Sequence, residues 1–231
     1  MKMKKILYFI SFIALSLMVT GCGTDNYDEP TSVLQGQILY NGTPIGLRGS
    51  GGAIELQLYQ DGYELHNFIS VFVNQDGTYK ARLFDGEYKL MFKDKNGPWV
   101  NSRDTIPVTV KGNTIKNLDV TPFFIVSDEN ITMSEDSLVT FAGTIEKIDP
   151  TAALASVTLY IGETLFTDNI NNVANVVVAN SKITTFPYTL SETMNLKGDK
   201  KVAASKHLFG RICVKTTGTT EGVFSKVFKI K

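Results

Sequence analysis

The chain has 231 residues, with 23 basic and 23 acidic side chains, and 43% of it is hydrophobic. That length holds one large domain or two of roughly a hundred residues each, and the balanced charge lacks the basic footprint that nucleic-acid binding requires. Two cysteines exclude a disulfide framework, so the fold must be held by its cores.

The chain opens with Lys2, Lys4 and Lys5, followed by an uncharged apolar run over 6–19. A membrane-spanning helix needs about twenty apolar residues, so this run predicts the core of a secretory signal, with the lysines as its charged front. Val19-Thr20-Gly21-Cys22 resembles the bacterial lipobox. The resemblance implies a lipid thioether on Cys22 and cleavage before it, and hence membrane attachment. Each buried methylene of an acyl chain contributes about 0.8 kcal/mol, and several chains on one residue make a stable anchor. Residues 1–21 are therefore read as a lipoprotein signal peptide and 22–31 as an acidic tether, where Asp25, Asp28 and Glu29 stand among the breakers Asn26 and Pro30. The tether resembles the acidic signal that sends Bacteroidetes lipoproteins to the cell surface. Removing 1–21 takes three lysines and no acid, which leaves 20 basic and 23 acidic residues and a net charge of −3. With Cys22 lipidated, Cys213 has no partner and is expected to be a small half-buried hydrophobe on a strand.

Beyond the tether, short runs rich in Val, Ile, Phe, Tyr and Thr are broken about every ten residues by Gly, Asn or Asp, the pattern of an antiparallel β-sandwich. Strands are predicted over 32–40, 53–59 and 67–73, with Asn41-Gly42 the strongest turn signal. Residues 78–94 read as a hairpin cornered at Asp85-Gly86, with Tyr88, Leu90 and Phe92 on one face and Lys89, Met91 and Lys93 on the other. Residues 105–120 read as a last strand pair around Gly112-Asn113, and a domain boundary is placed near Thr121-Pro122. In the second half, strands are predicted over 137–148, 155–162 and 175–179. Residues 208–230 form a closing hairpin bent at 218–222, with Ile212 and Val214 inward. The stretch 191–207 reads as a loop or one short helix. The fold class is all-β: two consecutive antiparallel sandwiches, 32–121 and 122–231.

Gly36, Ile38, Asn41, Gly42, Pro44 and Ile45, and later Asp76, Gly77, Tyr79, Leu83, Gly86, Tyr88 and Leu90, resemble the pattern of prealbumin-like, carboxypeptidase-regulatory-like sandwiches. Together with the lipobox and the closing GRICVKT strand, they resemble a Bacteroidetes lipoprotein family of unknown function (domain of unknown function 3823). That family pairs a prealbumin-like domain with an immunoglobulin-like one. The resemblance implies a surface accessory role near starch-utilisation-type outer-membrane transporters, and offers no catalytic residue.

His66 and His207 lie far apart without a zinc-ligand spacing. The stretch 94–99 lacks the ligands of a calcium loop and reads as a turn. No phosphate, dinucleotide or hydrolase motif occurs, so no cofactor and no catalytic residue are assigned. Trp99, the single tryptophan, either stacks on a sugar face from a loop tip or packs over the end of a sandwich core. Tyr63 has the same two readings. Asp104-Thr105-Ile106 and Asp136-Ser137-Leu138 resemble the O-glycosylation signal of exported Bacteroidetes proteins, which points to Thr105 and Ser137. The sequence is read as a non-catalytic surface lipoprotein of a bacterial outer membrane that binds glycans or transporter components. A pilus-type structural component is the alternative, and a hydrolase with an unmarked site ranks last. Exposed aromatics on one face favour the first reading, an open edge strand the second, and facing carboxylates in a deep cleft the third.

Overall fold

The computed structural model describes residues 28–62 and 64–231. The signal peptide, Cys22, most of the tether and Tyr63 lie outside the described residues. Thr31–Lys231 form one compact unit.

The first sandwich contains β1 (Ser32–Tyr40), β2 (Thr43–Pro44), β3 (Ile54–Tyr59), β4 (Ile69–Val73), β5 (Thr78–Leu83), β6 (Gly86–Phe92), β7 (Ile106–Val110), β8 (Asn113–Ile115) and β9 (Leu118–Asp119). Asn41 and Gly42 both take positive φ, 49° and 75°, and close a two-residue hairpin between β1 and β2, as a primed turn demands. The sheet runs β2-β1-β5-β4-β3-β6-β7. β4 and β5 are paired only at Val73–Tyr79, and the sheet folds over there. Leu34, Ile38 and Leu83 from one half then meet Leu56, Leu58 and Leu90 from the other in the core.

Two expected strand pairs are corrected. β5 and β6 do not form a hairpin: β5 pairs with β1 and β4, whereas β6 pairs with β3 and β7. A tight primed turn needs positive φ at its central residues, and neither Asp85 nor Gly86 has it. Asp85 instead accepts hydrogen bonds from the Ser32 hydroxyl and the Gly112 N–H, which ties the arch to β1 and the β7–β8 turn. The segment 105–120 is likewise split. β7 joins β6, while β8 and β9 pair with β1 in parallel, so this sandwich is not purely antiparallel. Within β6 the period-two reading holds: Tyr88, Leu90 and Phe92 are buried, and Lys89 and Lys93 are exposed.

The second sandwich packs a sheet of β10 (Phe124–Met133), β11 (Leu138–Lys147) and β14 (Tyr188–Asn195) against a sheet of β12 (Leu154–Gly162), β13 (Ala174–Val178), β15 (Phe209–Thr216), β16 (Val223–Phe224) and β17 (Phe228–Lys229). β14 occupies part of the stretch that sequence left undecided. It is followed by the single described α-helix, α1 (Lys200–Ala204), whose first N–H groups donate to the Asp199 side chain at 2.8 and 3.1 Å. The closing hairpin forms as predicted, with β15 paired to β16 and β17 and with Ile212 and Val214 fully buried. Among the described residues, no helix is long and apolar enough to cross a membrane.

Candidate functional site

β15 shows how the two sandwiches are joined. Alternation predicts one buried face, yet every residue from Phe209 to Val214 is buried. Ile212 and Val214 face their own core, and Arg211 and Cys213 face outward, Arg211 under the segment 46–50 of the first sandwich. Arg211 is 1% exposed. Its guanidinium donates to the Leu47 carbonyl at 3.0 Å and twice to the Ser225 carbonyl, and it lies 4.5 Å from the centre of the Phe224 ring. Burial lowers its pKa to about 10 and pushes the Cys213 thiol up to about 12; that thiol is inert rather than nucleophilic. The backbones touch closely enough that a Cβ on Gly46 would stand 2.1 Å from the Phe224 carbonyl oxygen.

Polar side chains fix the same junction. Arg48 pairs with Glu221 at 3.0 Å, with both side chains largely buried. The Ser50 hydroxyl donates to Asp168, which is fully buried and also caps the Ile170 and Asn171 N–H groups. Asn96 accepts from the Glu55 N–H at 2.7 Å and donates to the Ala53 carbonyl at 2.8 Å, while the Thr220 N–H donates to the Lys95 carbonyl.

Trp99 sits inside this arrangement. It is 4% exposed, packs edge-on against Phe92 at 5.4 Å and forms a β-bridge with Pro122. Of its two readings the core plug is the one realised, and Trp99 is withdrawn as a sugar-stacking residue. The loop is a tip only within the first sandwich; the linker and the second sandwich cover it. Thr105 is exposed. Ser137 is half-buried in a tight turn at φ 60°, and its carbonyl accepts from the Leu196 N–H.

The open aromatics lie elsewhere. On the outward face of β3 and β4, Tyr59 packs against Phe68 with ring centres 5.8 Å apart. Phe68 and Phe72 are 41% and 52% exposed, four residues apart, hence about 13 Å along an extended chain. The strip continues onto the second sandwich. The Phe72 ring lies 3.0 Å from the Cβ position of Gly52, and the Phe166 ring lies 3.2 Å from that of Gly49. Both rings therefore flank the loop 49–52. Phe166 is 52% exposed and belongs to the β12–β13 loop that Asp168 pins to Ser50. Two ion pairs lie on this face. Lys93 and the Ser70 hydroxyl both bond Glu55 and hold its carboxyl below the usual value, and Lys89 pairs with Asp61 at 2.6 Å. The strip thus presents rings and paired polar groups beside the buried junction.

Sequence reasoning passed over Phe68, Phe72 and Phe166. The signal was present in NFISVFV, where both alternating faces are apolar. An apolar patch left open on the outward face of a strand marks a candidate interaction surface. Among the described residues, no group of three or more His, Cys, Asp or Glu side chains is placed to hold a metal ion.

Two all-β sandwiches locked by a buried polar junction define the architectural class of this protein. Two family profiles match it: the N-terminal domain of DUF3823, a protein of unknown function, over residues 32–121, and the DUF3823 C-terminal domain over 124–229. The chain belongs to the DUF3823 family. It is similar to a DUF3823 protein of Parabacteroides merdae, at 39% identity and a TM-score of 0.81 over 88% of this chain and 100% of that one. It is also similar to one of Bacteroides ovatus, at 30% identity and 0.76 over 86% and 98%. A Bacteroides uniformis protein, described provisionally as a carbohydrate binding protein, shares the fold at 18% identity and a TM-score of 0.73 over 87% and 99%. No curated protein matches the chain.

Proposed function

We propose that this chain is a non-catalytic, lipid-anchored lipoprotein of the bacterial outer-membrane surface that binds carbohydrate as an accessory of a starch-utilisation-type uptake system. The observation that carries this reading is the set of partly open rings Tyr59, Phe68, Phe72 and Phe166, of which Phe72 and Phe166 flank the loop 49–52 from the two sandwiches. An aromatic face stacks on the apolar C–H face of a pyranose, and neighbouring polar side chains bond its hydroxyls. Because Lys93 and Lys89 are neutralised by Glu55 and Asp61, and Glu87 of the same face has, among the described residues, only the Thr109 hydroxyl as partner, a neutral polysaccharide suits the strip better than an acidic one. The description of the Bacteroides uniformis structure agrees with this reading.

A glycan array probed with the fragment from residue 24 onward tests it: retention of neutral polysaccharides is expected, and an array with no retained glycan would overturn it. The anchor is tested separately. Cys22→Ala should leave an uncleaved precursor without lipid, read by mass spectrometry of the membrane fraction; a cleaved, membrane-bound product would contradict the anchor.

A second reading, structural assembly, is favoured by one feature. β13 is an edge strand with Val176 and Val177 exposed at 40% and 57%, open to pairing with an added strand. It predicts concentration-dependent oligomers in light scattering that a proline at Val177 abolishes.

A further inference from the structure

A groove of about 410 Å³ opens between the two sandwiches beside their buried junction, whose Gly46 and Phe224 also line it. The β1–β2 hairpin lines it with Tyr40 and Asn41, and β10 lines it with Ile125, Asp128 and Glu129; Lys226 also borders it. Its size lies within the range of small-ligand sites, which favour domain boundaries. Tyr40 is half-buried: it packs on the core and also lines the groove. The two carboxylates arrive there through a β-bulge. Ser127 pairs with Thr144 and Asn130 with Ala142, so Asp128 and Glu129 together oppose Gly143. A bulge redirects side chains that regular alternation would send to opposite faces. Gly143 admits it, because a Cβ there would come within 3.2 Å of the Ser127 carbonyl oxygen.

These groups match one ligand chemistry. An aromatic ring and Ile125 offer an apolar wall. Each carboxylate has two oxygens that accept from neighbouring hydroxyls, in charge-assisted bonds stronger than neutral ones. The Asn41 amide both donates and accepts. Two carboxylates against one ammonium leave the groove negative, which disfavours uronates, sulfates and phosphates. We propose that this groove is a second carbohydrate subsite, taking a neutral hexose unit of a short oligosaccharide. Asp128 and Glu129 accept its hydroxyl hydrogens, and Tyr40 lies against its C–H face. The inference rests on the carbohydrate reading above but assigns a different surface: the strip takes a long chain, and the groove takes a short chain or a chain end.

Isothermal titration of the fragment from residue 24 onward with neutral gluco-, manno- and galacto-tetrasaccharides tests it, with a galacturonate tetramer as the acidic probe. Asp128→Gly is the informative variant. Asp128 already sits at φ 51°, a conformation glycine adopts without strain, so removing the carboxylate does not threaten the bulge. Glu129→Ala is the second variant. At least one neutral tetrasaccharide should bind the wild type, and each variant should weaken that binding by about tenfold or more with an unchanged thermal midpoint. Equal affinity in both variants, or preference for the acidic tetramer, would overturn the groove assignment. So would a wild type that retains polysaccharide but binds no neutral tetrasaccharide, and that result would leave the strip reading standing. Failure to retain either polymer or tetrasaccharide would sink the carbohydrate reading and the groove with it.

Discussion

Two sheet faces in this molecule turn away from the core of their own sandwich, and they end differently. On β15, Arg211 and Cys213 point outward yet are buried: the segment 46–50 of the first sandwich lies across Arg211, and Cys213 lies against Gly222 of the closing hairpin. On β3 and β4, Tyr59, Phe68 and Phe72 point outward too, and the two phenylalanines stay about half-open. The covered face is fastened by directional groups: a guanidinium on two carbonyls, an ion pair and an aspartate that caps a loop. The open face carries two ion pairs of its own, Lys93–Glu55 and Lys89–Asp61. Apolar content alone therefore does not decide whether an outward face is buried. What decides it is whether another segment presents groups shaped to cover it. An apolar face left open forgoes the stabilisation that covering would give, and is where a ligand or partner is to be sought.

The covered side should break hardest. Trp99→Ala removes a buried ring packed on Phe92 and should cost about 3–5 kcal/mol through lost burial and a cavity, read from urea denaturation. A loss below about 1 kcal/mol would put the ring back in solvent. Arg211→Ala leaves the Leu47 carbonyl and the outer side of Phe224 without their cover and should cost about 2–3 kcal/mol. Amide exchange at residues 46–50 should speed up with it. Unchanged exchange there would mean that the junction does not depend on the arginine.

A smaller effect separates the charge pairs of the open face. Glu55 has its carboxyl held low, first by Lys93 and then by Ser70. Its folded pKa is thus below the unfolded value, so its contribution is present above about pH 4.5 and lost as pH falls through the folded value. Glu55→Gln should lower the thermal midpoint at neutral pH, and the gap to wild type should close on acidification. A gap that widens in acid would contradict the sign.

Strand positions were legible because alternation is a local property: β1, β3 and β6 lie where period two placed them, and the Asn41-Gly42 turn needed only its own φ preferences. Strand partners were not. Asp85-Gly86 looks like a hairpin corner in sequence, but the chain uses it to cross from one half of the sheet to the other, a choice set by distant strands. Trp99 failed as a site for the same reason. A loop read as a tip is covered by a linker and a second sandwich that no local window contains. β14 was obscured because YTLSETMN alternates with few β-branched residues. The strip was half-legible: NFISVFV shows two apolar faces, but nothing in that run says which of them the rest of the chain leaves open, or that Phe166 would join it.

The central claim is that the open face binds and does not stabilise. Affinity gel electrophoresis of the Phe72→Ala/Phe166→Ala variant through neutral polysaccharide, paired with its melting curve, tests this most directly. Both rings are 52% exposed, so each truncation should cost at most about 1 kcal/mol, and the retardation seen for the wild type should disappear. Retardation equal to wild type in a variant that melts normally would contradict the account.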